Sequence, residues 1–382
     1  MDRNGGGHRN QDPPPPPASP PPPLPPAYLE NPHLQFSHRD RAPLLPTESR
    51  IAYTQGYFPR VVKSLDSLLS EINEVTTEAI KSHPDKFITL LVYGGGDKIK
   101  EENPNLMKDI QAFLQGLAIK GGEKLRVIDP PKKTNAQRGD FAKPHILLLQ
   151  HGSPELRAFI LWFQTFAFQI DGRKIAFSAV RFDINIRPWF ITNITGQIID
   201  DDPNMMTIAV ETIKEHLSKD TAFRNHVNKV LTNREVGQSV LERKIIVLAS
   251  FSLAFIPRAT DEVEDTPVWQ LAGCPVYDNM KDHRQWLKMI RRTDFHIGDM
   301  KYIRSTTEII GCVWCKAETH SSEDCPLPRL EDWKGPIPTH DFVEPEPYYK
   351  PNAETKQRNE KRKARKEKAR KSKGKKNPAR EK

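Results

Sequence analysis

The sequence predicts an α+β protein, and three observations carry that reading. Apolar runs of strand length alternate with amphipathic helical stretches and hairpin signals from about residue 51 to residue 300. Both ends depart from globular composition: 11 of the 34 prolines lie between Pro13 and Pro26, and residues 356–382 hold 15 basic against 3 acidic residues. Three of the four cysteines and one histidine fall within the 14 residues from Cys312 to Cys325. The net charge of +9 is therefore an arm of +12 on a remainder of −3, which excludes a globally basic, histone-like protein. A length of 382 residues suggests about two domains.

Taken in order, residues 1–50 read as a disordered Pro-rich arm, whose polyproline II character suits an SH3- or WW-type partner or a stiff spacer. A helix is predicted from Pro59 to Ser82, because Val61, Leu65, Leu68, Ile72, Val75 and Ala79 recur at three- and four-residue spacing. It would pack on the domain's own core or, alternatively, form a short coiled coil. Phe87–Val92 reads as a buried strand, followed by Gly94, Gly95, Gly96 and Asp97. That glycine run reads as a tight turn, since no Lys-Ser or Lys-Thr follows at phosphate-loop spacing. A helix is expected over 105–117, a strand over 126–128 and a polar loop over 134–143.

The next segment has clearer punctuation. A strand over 145–149 leads to Ser153 as N-cap, Pro154 at the first helical position and Glu155 in the first turn, with helix through Phe159 and Trp162. Strands over 166–170 and 174–184 flank Asp171-Gly172, a strong hairpin signal. Another strand covers 189–194, and Asp200, Asp201 and Asp202 precede a helix through Ile208 and Ile213. Helix is predicted over 222–231, and a long strand over 244–256 pairs with 268–276 across an acidic loop. Helix over 281–292 and a strand near Phe295 complete the block. The strand-helix-strand-strand order from residue 145 is that of ferredoxin-like, RNA-recognition-type domains, and the second half has room to repeat it. The division expected is 1–50 disordered arm, 51–143 N-terminal α/β segment, 144–300 α+β domain, 308–336 Cys/His module, 337–355 linker and 356–382 basic tail.

The chemistry concentrates between Gly311 and Pro326, where Cys312, Cys315, His320 and Cys325 make C-x2-C-x4-H-x4-C. Two cysteines three apart grip a metal from one turn, and short spacings fold the other two ligands onto the same ion. The expectation is one structural Zn2+, since four protein ligands leave no position for water or substrate. The module is too short for its own core, so metal binding would supply most of its folding free energy, on the order of 10 kcal/mol. Cys274 reads as an ordinary buried thiol in a strand. The scarcity of cysteines elsewhere fits a reduced intracellular setting, nucleus or cytoplasm.

This motif is similar to the CCHC zinc knuckle of retroviral-type nucleocapsids, and the likeness extends outward. The stretch from Phe87 to Trp333, about two-thirds of the chain, resembles the Gag-like proteins of fungal retroelements of the Tad-type non-LTR group. The pieces that carry it are F-I-T-L-L-V-Y-G-G-G, S-P-E-L-R-A-F-I-L-W-F-Q-T-F, W-F-I-T-N-I-T-G, W-Q-L-A-G, C-V-W-C-K-A-E-T-H and C-P-L-P ahead of W-K-G-P. The resemblance implies binding of the element's RNA, packaging or chaperoning of nucleic acid, and self-association. The chain departs from retroviral knuckles by placing Lys316 and Thr319 where those carry glycine.

Two physical terms favour single-stranded RNA or DNA as partner. Trp314, beside Lys316, and Trp333 offer stacking surfaces worth about 1–3 kcal/mol per base, although Trp314 could instead pack on its own loop. The knuckle is net acidic, so phosphate attraction falls to the tail, with Lys361, Arg362, Lys363, Arg365, Lys366, Lys375 and Lys376, which also reads as a nuclear-localisation signal. No nucleophile elbow, paired-histidine zinc helix or phosphate loop occurs, and the three aspartates read as a helix cap, so a non-enzymatic binding protein is expected. The alternative is a host RNA-processing or scaffold protein that uses the knuckle and the Pro-rich arm to recruit partners. The longest apolar run, Ile245 to Ile256, has 12 residues, short of the roughly 20 a membrane helix needs, so no membrane segment is expected.

Overall fold

The computed structural model describes residues 31–37, 49–96, 99–133, 146–183, 189–196, 198–257, 267–277, 279–297, 301–306, 311–322 and 324–338. Of the arm 1–50 predicted to be disordered, residues 31–37 and 49–50 are described and ordered, which corrects that expectation for them: Pro32–Leu34 forms a 3-10 turn and Ser37 N–H donates to Phe58 O at 2.8 Å. The rest of the arm, most of the linker and the basic tail lie outside the described residues. The chain is mixed α+β, built on two five-stranded sheets in which all paired neighbours are antiparallel. No described helix is long and apolar enough to cross a membrane.

The first lobe opens with two short helices, α1 (Leu65–Leu69) and α2 (Glu74–Ser82). The single helix expected over this stretch is divided because Ser64 and Asn73 each cap a separate helix, accepting from Ser67 N–H and Thr76 N–H. Val75, expected on the apolar face, is 80% exposed. Then come β1 (Phe87–Val92), α3 (Ile99–Glu102), α4 (Leu106–Gln115), β2 (Arg126–Ile128), β3 (Ile146–Gln150), α5 (Pro154–Phe163), β4 (Thr165–Ile170) and β5 (Arg173–Arg181). Ser153 caps α5 as the sequence predicts, accepting from Leu156 N–H at 3.2 Å. Asp171 and Gly172 turn the β4–β5 hairpin with φ of +46° and +78°. The strands lie in the order β2-β3-β1-β5-β4.

The second lobe runs β6 (Phe190–Gly196), α6 (Pro203–Lys219), α7 (Thr221–Asn233), α8 (Val240–Ala249), β7 (Ser252–Ile256), β8 (Val268–Ala272), α9 (Met280–Arg291), β9 (Asp294–Ile297) and β10 (Lys301–Thr306). Its strand order is β7-β8-β6-β10-β9. Number the strands of each lobe from one to five and both orders become 2-3-1-5-4, with helices after the first and third strands of each. The chain thus contains one topology twice.

Two sequence expectations are corrected here. Strands on both sides of residue 144 share the first sheet, β3 pairing with β1 from Phe87↔Gln150 to Leu91↔Ile146. The division at 143/144 therefore cuts through a sheet. The passage between lobes comes after Arg181, and the repeated unit begins at β1 rather than at residue 145. The polar stretch 134–143 suggests a boundary because its composition is that of a linker. The long strand expected over 244–256 is the end of α8 followed by β7, with a break at Ser250–Phe251. An unbroken apolar run hides its period, but Ser239 and Glu242 form a capping pair that marks the helix start: Ser239 Oγ accepts from Glu242 N–H, and Glu242 Oε2 accepts from Gln238 N–H.

Packing follows the strand sequences. In lobe one, Ile88, Leu90 and Val92 face one core with α4 and α5, while Leu91, Ile146, Leu148 and Val180 face a second core closed by α1 and α2. A continuous apolar strand such as F-I-T-L-L-V is what a sheet buried on both faces requires. Lobe two has one main core, where Ile194, Trp269, Leu271, Phe295 and Ile303 meet α6 to α9.

Candidate metal centre

The site is built at the C-terminal end of β1. Gly94 takes φ +66°, and a Cβ there would lie 3.1 Å from the Trp314 ring. A side chain there would push the indole back by a few tenths of an ångström, on a left-handed backbone that already favours glycine. Gly94 N–H donates to Trp314 O at 2.7 Å, and Tyr93 stacks on Trp314 with ring centres 5.7 Å apart and planes at 23°. Trp333 packs edge-on against the same tyrosine at 5.7 Å. The glycine run that the sequence presents as a turn is therefore also a seat for the Cys/His module.

Cys312, Cys315, His320 and Cys325 come together, with their ligand atoms all within 4.8 Å of one another. This is close enough to hold one metal ion. The turn between Cys312 and Cys315 is closed by Cys315 N–H donating to Cys312 Sγ at 3.4 Å and Lys316 N–H donating to Cys312 O at 2.9 Å. His320 presents Nε2 to Cys315 Sγ at 3.3 Å while its Nδ1 is paired with Thr319 Oγ1 at 3.1 Å, which fixes the ring. Tyr93 O–H donates to Cys325 Sγ at 3.7 Å. Burial pushes that phenol far above its ordinary range, so it remains a donor.

Three thiols in one buried cluster cannot all ionise unaided. Cys312, accepting from its neighbours' S–H groups, is held well below the usual thiol range. Cys315 is pushed up, and Cys325 is pushed up to about 12, chiefly by their contacts with Cys312. A cation that draws all three into the thiolate form must displace protons to do so.

The cluster is not an isolated module. All three cysteines are buried in the lobe-one core with Leu327, and Trp314, Leu330 and Trp333 pack against it. A freestanding knuckle would depend on metal for most of its folding free energy, whereas here a neighbouring lobe supplies the apolar contacts. Thr54 Oγ1 donates to Asp332 O and accepts from Lys334 N–H, tying the stretch of chain beyond the cluster to the same lobe. On the other side, Glu318 reaches both lobes. Its carboxylate pairs with Lys63 Nζ at 2.8 Å, and its carbonyl accepts from Gln270 Nε2 on β8 at 2.6 Å. The cluster thus belongs to the lobe-one core, with Glu318 at its rim reaching lobe two.

The sequence-predicted contact residues fall in two groups. Trp314 and Trp333 are half-buried, their faces and edges engaged by Tyr93, and Trp333 Nε1 donates to Pro336 O at 2.9 Å. Lys316 is only 6% exposed and donates Nζ to Val313 O at 2.5 Å; burial lowers its ammonium to about 8. Lys316, expected among the nucleic-acid contacts, thus has its side chain turned onto the knuckle itself, on a backbone whose φ of +64° is the left-handed turn that glycine fills more easily. Lys361, Arg362, Lys363, Arg365, Lys366, Lys375 and Lys376 lie outside the described residues.

Two further residues take roles that the sequence did not announce. Tyr93 directly follows β1 with no motif of its own, and Gln270 is a plain glutamine within W-Q-L-A-G. Of the three aspartates, Asp202 caps α6 by accepting from Asn204 N–H at 2.9 Å, and Asp200 O accepts from the buried Trp269 Nε1 at 2.8 Å. Cys274 lies just past β8 rather than within it; burial pushes its thiol up to about 11. No protein-family model, curated protein or solved structure matches the chain.

Proposed function

We propose that this chain is a zinc-dependent single-stranded nucleic-acid-binding protein of retroelement Gag-like character, in which the metal does structural work. The observation that carries the proposal is the closed Cys3His donor set in the lobe-one core. Three sulfurs and one imidazole nitrogen suit zinc by softness. A tetrahedron with Zn–S of about 2.3 Å and Zn–N of about 2.0–2.1 Å has S···N edges of roughly 3.5 Å, and the Cys315–His320 separation of 3.3 Å is near that edge. With every position filled by protein, the ion would order Trp314, Glu318 and Trp333 rather than activate a substrate.

The finer fold reading belongs to the same proposal. Strands 2-3-1-5 of each lobe, with helices after the first and third strands, match a ferredoxin-like order to which a further edge strand has been added. Two such lobes beside a knuckle and a +12 tail suit a protein that holds a strand over an extended surface. The tail supplies sequence-blind attraction through counterion release, and Trp314, half-buried on Tyr93, is the knuckle's aromatic candidate for stacking on a base.

The test is a pair of measurements on the full chain. Metal analysis should return one zinc per chain, and Cys312→Ser with Cys315→Ser should abolish it and weaken binding to a mixed-sequence single-stranded RNA. Unchanged affinity in that metal-free variant at moderate salt would remove the zinc centre from nucleic-acid binding and leave the tail as sole binder.

A further inference from the structure

Helix α9 carries a second concentration of positive charge, unrelated to the tail and to the zinc centre. Lys281, Arg284, Lys288, Arg291 and Arg292 are all exposed, and their spacing sets them along one face within an arc of about 100°. At 1.5 Å per residue, the row from Lys281 to Arg292 extends about 16 Å. Arg284, Leu287, Lys288, Arg291 and Arg292 line a shallow concavity of about 420 Å³. Among the described residues none of these five cations has a carboxylate partner. Asp282, the acid on the same helix, is turned to the N-cap, where Asn279 Nδ2 donates to it at 2.8 Å. Outside the tail the chain is net −3, so a run of unpaired cations on one helix is not what composition would scatter there.

The row is also held in place. Trp286, Met289 and Ile290, on the opposite face of α9, are at most 1% exposed in the lobe-two core. Arg291 Nε donates to Ile191 O at 2.7 Å, at the point where the β6–β8 register shifts. The cations therefore ride on an element that cannot roll away from them.

We infer that the exposed face of α9 is a binding site for the phosphate backbone of a nucleic acid. The inference rests on the nucleic-acid reading above. A row of cations on a rigid helix matches a polyanion with regularly spaced charges, and it neutralises phosphates without any base contact. A lipid surface is disfavoured, since an interfacial helix needs an apolar face to insert and that of α9 is committed to the core. An acidic protein partner would want aromatic or aliphatic anchors, and among the residues lining the concavity the half-buried Leu287 is the one apolar side chain.

The experiment is a salt titration of full-chain protein against labelled single-stranded RNA of mixed sequence. One variant combines Lys281→Gln, Arg284→Gln, Lys288→Gln and Arg292→Gln, leaving Arg291 and its tie to β6 intact. A charge-matched control combines Lys86→Gln, Lys108→Gln, Lys124→Gln and Lys174→Gln, all exposed on lobe one. The α9 variant should keep its circular dichroism and melting temperature while its log-log salt slope falls by about 0.7 per lost contact, roughly 2–3 overall. The control should keep the wild-type slope. Equal slopes for wild type and α9 variant, or equal losses in both variants, overturn the inference. So does an α9 variant that loses binding to phosphatidylserine vesicles or polyglutamate but keeps its RNA slope. If the wild type binds no RNA at all, the functional proposal itself fails, and the two failures are thereby told apart.

Discussion

The two lobes share one strand order yet use their sheets differently. In lobe one the central strand F-I-T-L-L-V is buried on both faces, one against α4 and α5 and the other against α1 and α2. In lobe two the equivalent strand F-I-T-N-I-T-G sends Ile194 into the helical core, while Asn193 and Thr195 point to the other face. That second face also carries Gln270, Ala254, Arg304 and His296, the last three exposed. Nothing equivalent to α1 and α2 precedes β6 among the described residues; instead Glu318 of the metal module reaches its centre through Gln270. The repeat teaches that topology fixes which face meets the helices. What covers the remaining face is decided by two or three side chains per strand.

The metal centre breaks the symmetry most strongly, since its three cysteines are core residues of lobe one and only its rim touches lobe two. Removing the metal with a strong chelator should therefore cost lobe one several kcal/mol, less than the on-the-order-of-10 kcal/mol of a freestanding finger. Hydrogen exchange would show it: protection should fall at Gly94 N–H and Lys334 N–H, bonded to Trp314 O and Thr54 Oγ1, while β6 and β8 stay protected. Equal loss across both sheets would mean that the lobes fold as one unit and that the comparison has no thermodynamic content.

Much of this was legible in the chain, and what was missed has physical causes. Phe87–Val92, Arg126–Ile128, the Ser153 cap and the Asp171-Gly172 turn announce themselves through local chemistry, and the four ligands through spacing. The pairing of Phe87 with Gln150 and the stacking of Tyr93 on Trp314, 221 residues apart in sequence, have no local signature. Nor does the docking of the knuckle, because a C-x2-C-x4-H-x4-C pattern specifies ligands and says nothing about what lies behind them. The division of one expected helix into α1 and α2 has a different cause. Apolar spacing continues across Ser70–Asn73, while two polar side chains prefer to cap, and the caps win.

A pH prediction sharpens the comparison at the boundary between lobes. His33, in the short 31–37 segment, accepts from Trp189 N–H through Nε2 at 3.2 Å, just ahead of β6. Burial lowers its pKa to about 4, against a weaker upward pull from Glu318. The folded protein thus prefers neutral His33, while the unfolded chain takes up a proton near pH 6.5. The stabilisation is complete above about pH 6.5 and is lost progressively as pH falls toward 4, on the order of 3 kcal/mol in all. Comparing His33→Gln with wild type by urea denaturation across that window isolates the term, since metal loss at low pH affects both equally. The variant should start less stable and converge on wild type as pH falls. Parallel curves would show that His33 takes up its proton alike in the folded and unfolded chain, so that its contact with Trp189 carries no pH-dependent stability.

The smallest effect tests whether the seat beneath Trp314 is what distinguishes lobe one. Gly94→Ala places a methyl group 3.1–3.2 Å from the indole and in a left-handed backbone, so about 1–2 kcal/mol of destabilisation is expected. Gly172→Ala separates the two contributions, because Gly172 has a similar φ of +78° but nothing within 4 Å of the place its methyl group would take. It should cost only the backbone part, about 1 kcal/mol, and leave Trp314 fluorescence and zinc affinity unchanged. If Gly94→Ala likewise leaves zinc affinity unchanged, Trp314 can leave Tyr93 without disturbing the ligands, and the seat holds the tryptophan but not the metal. If zinc affinity falls with Gly94→Ala alone, β1 and the metal form one structure, and the seat couples the sheet of lobe one to its ligands.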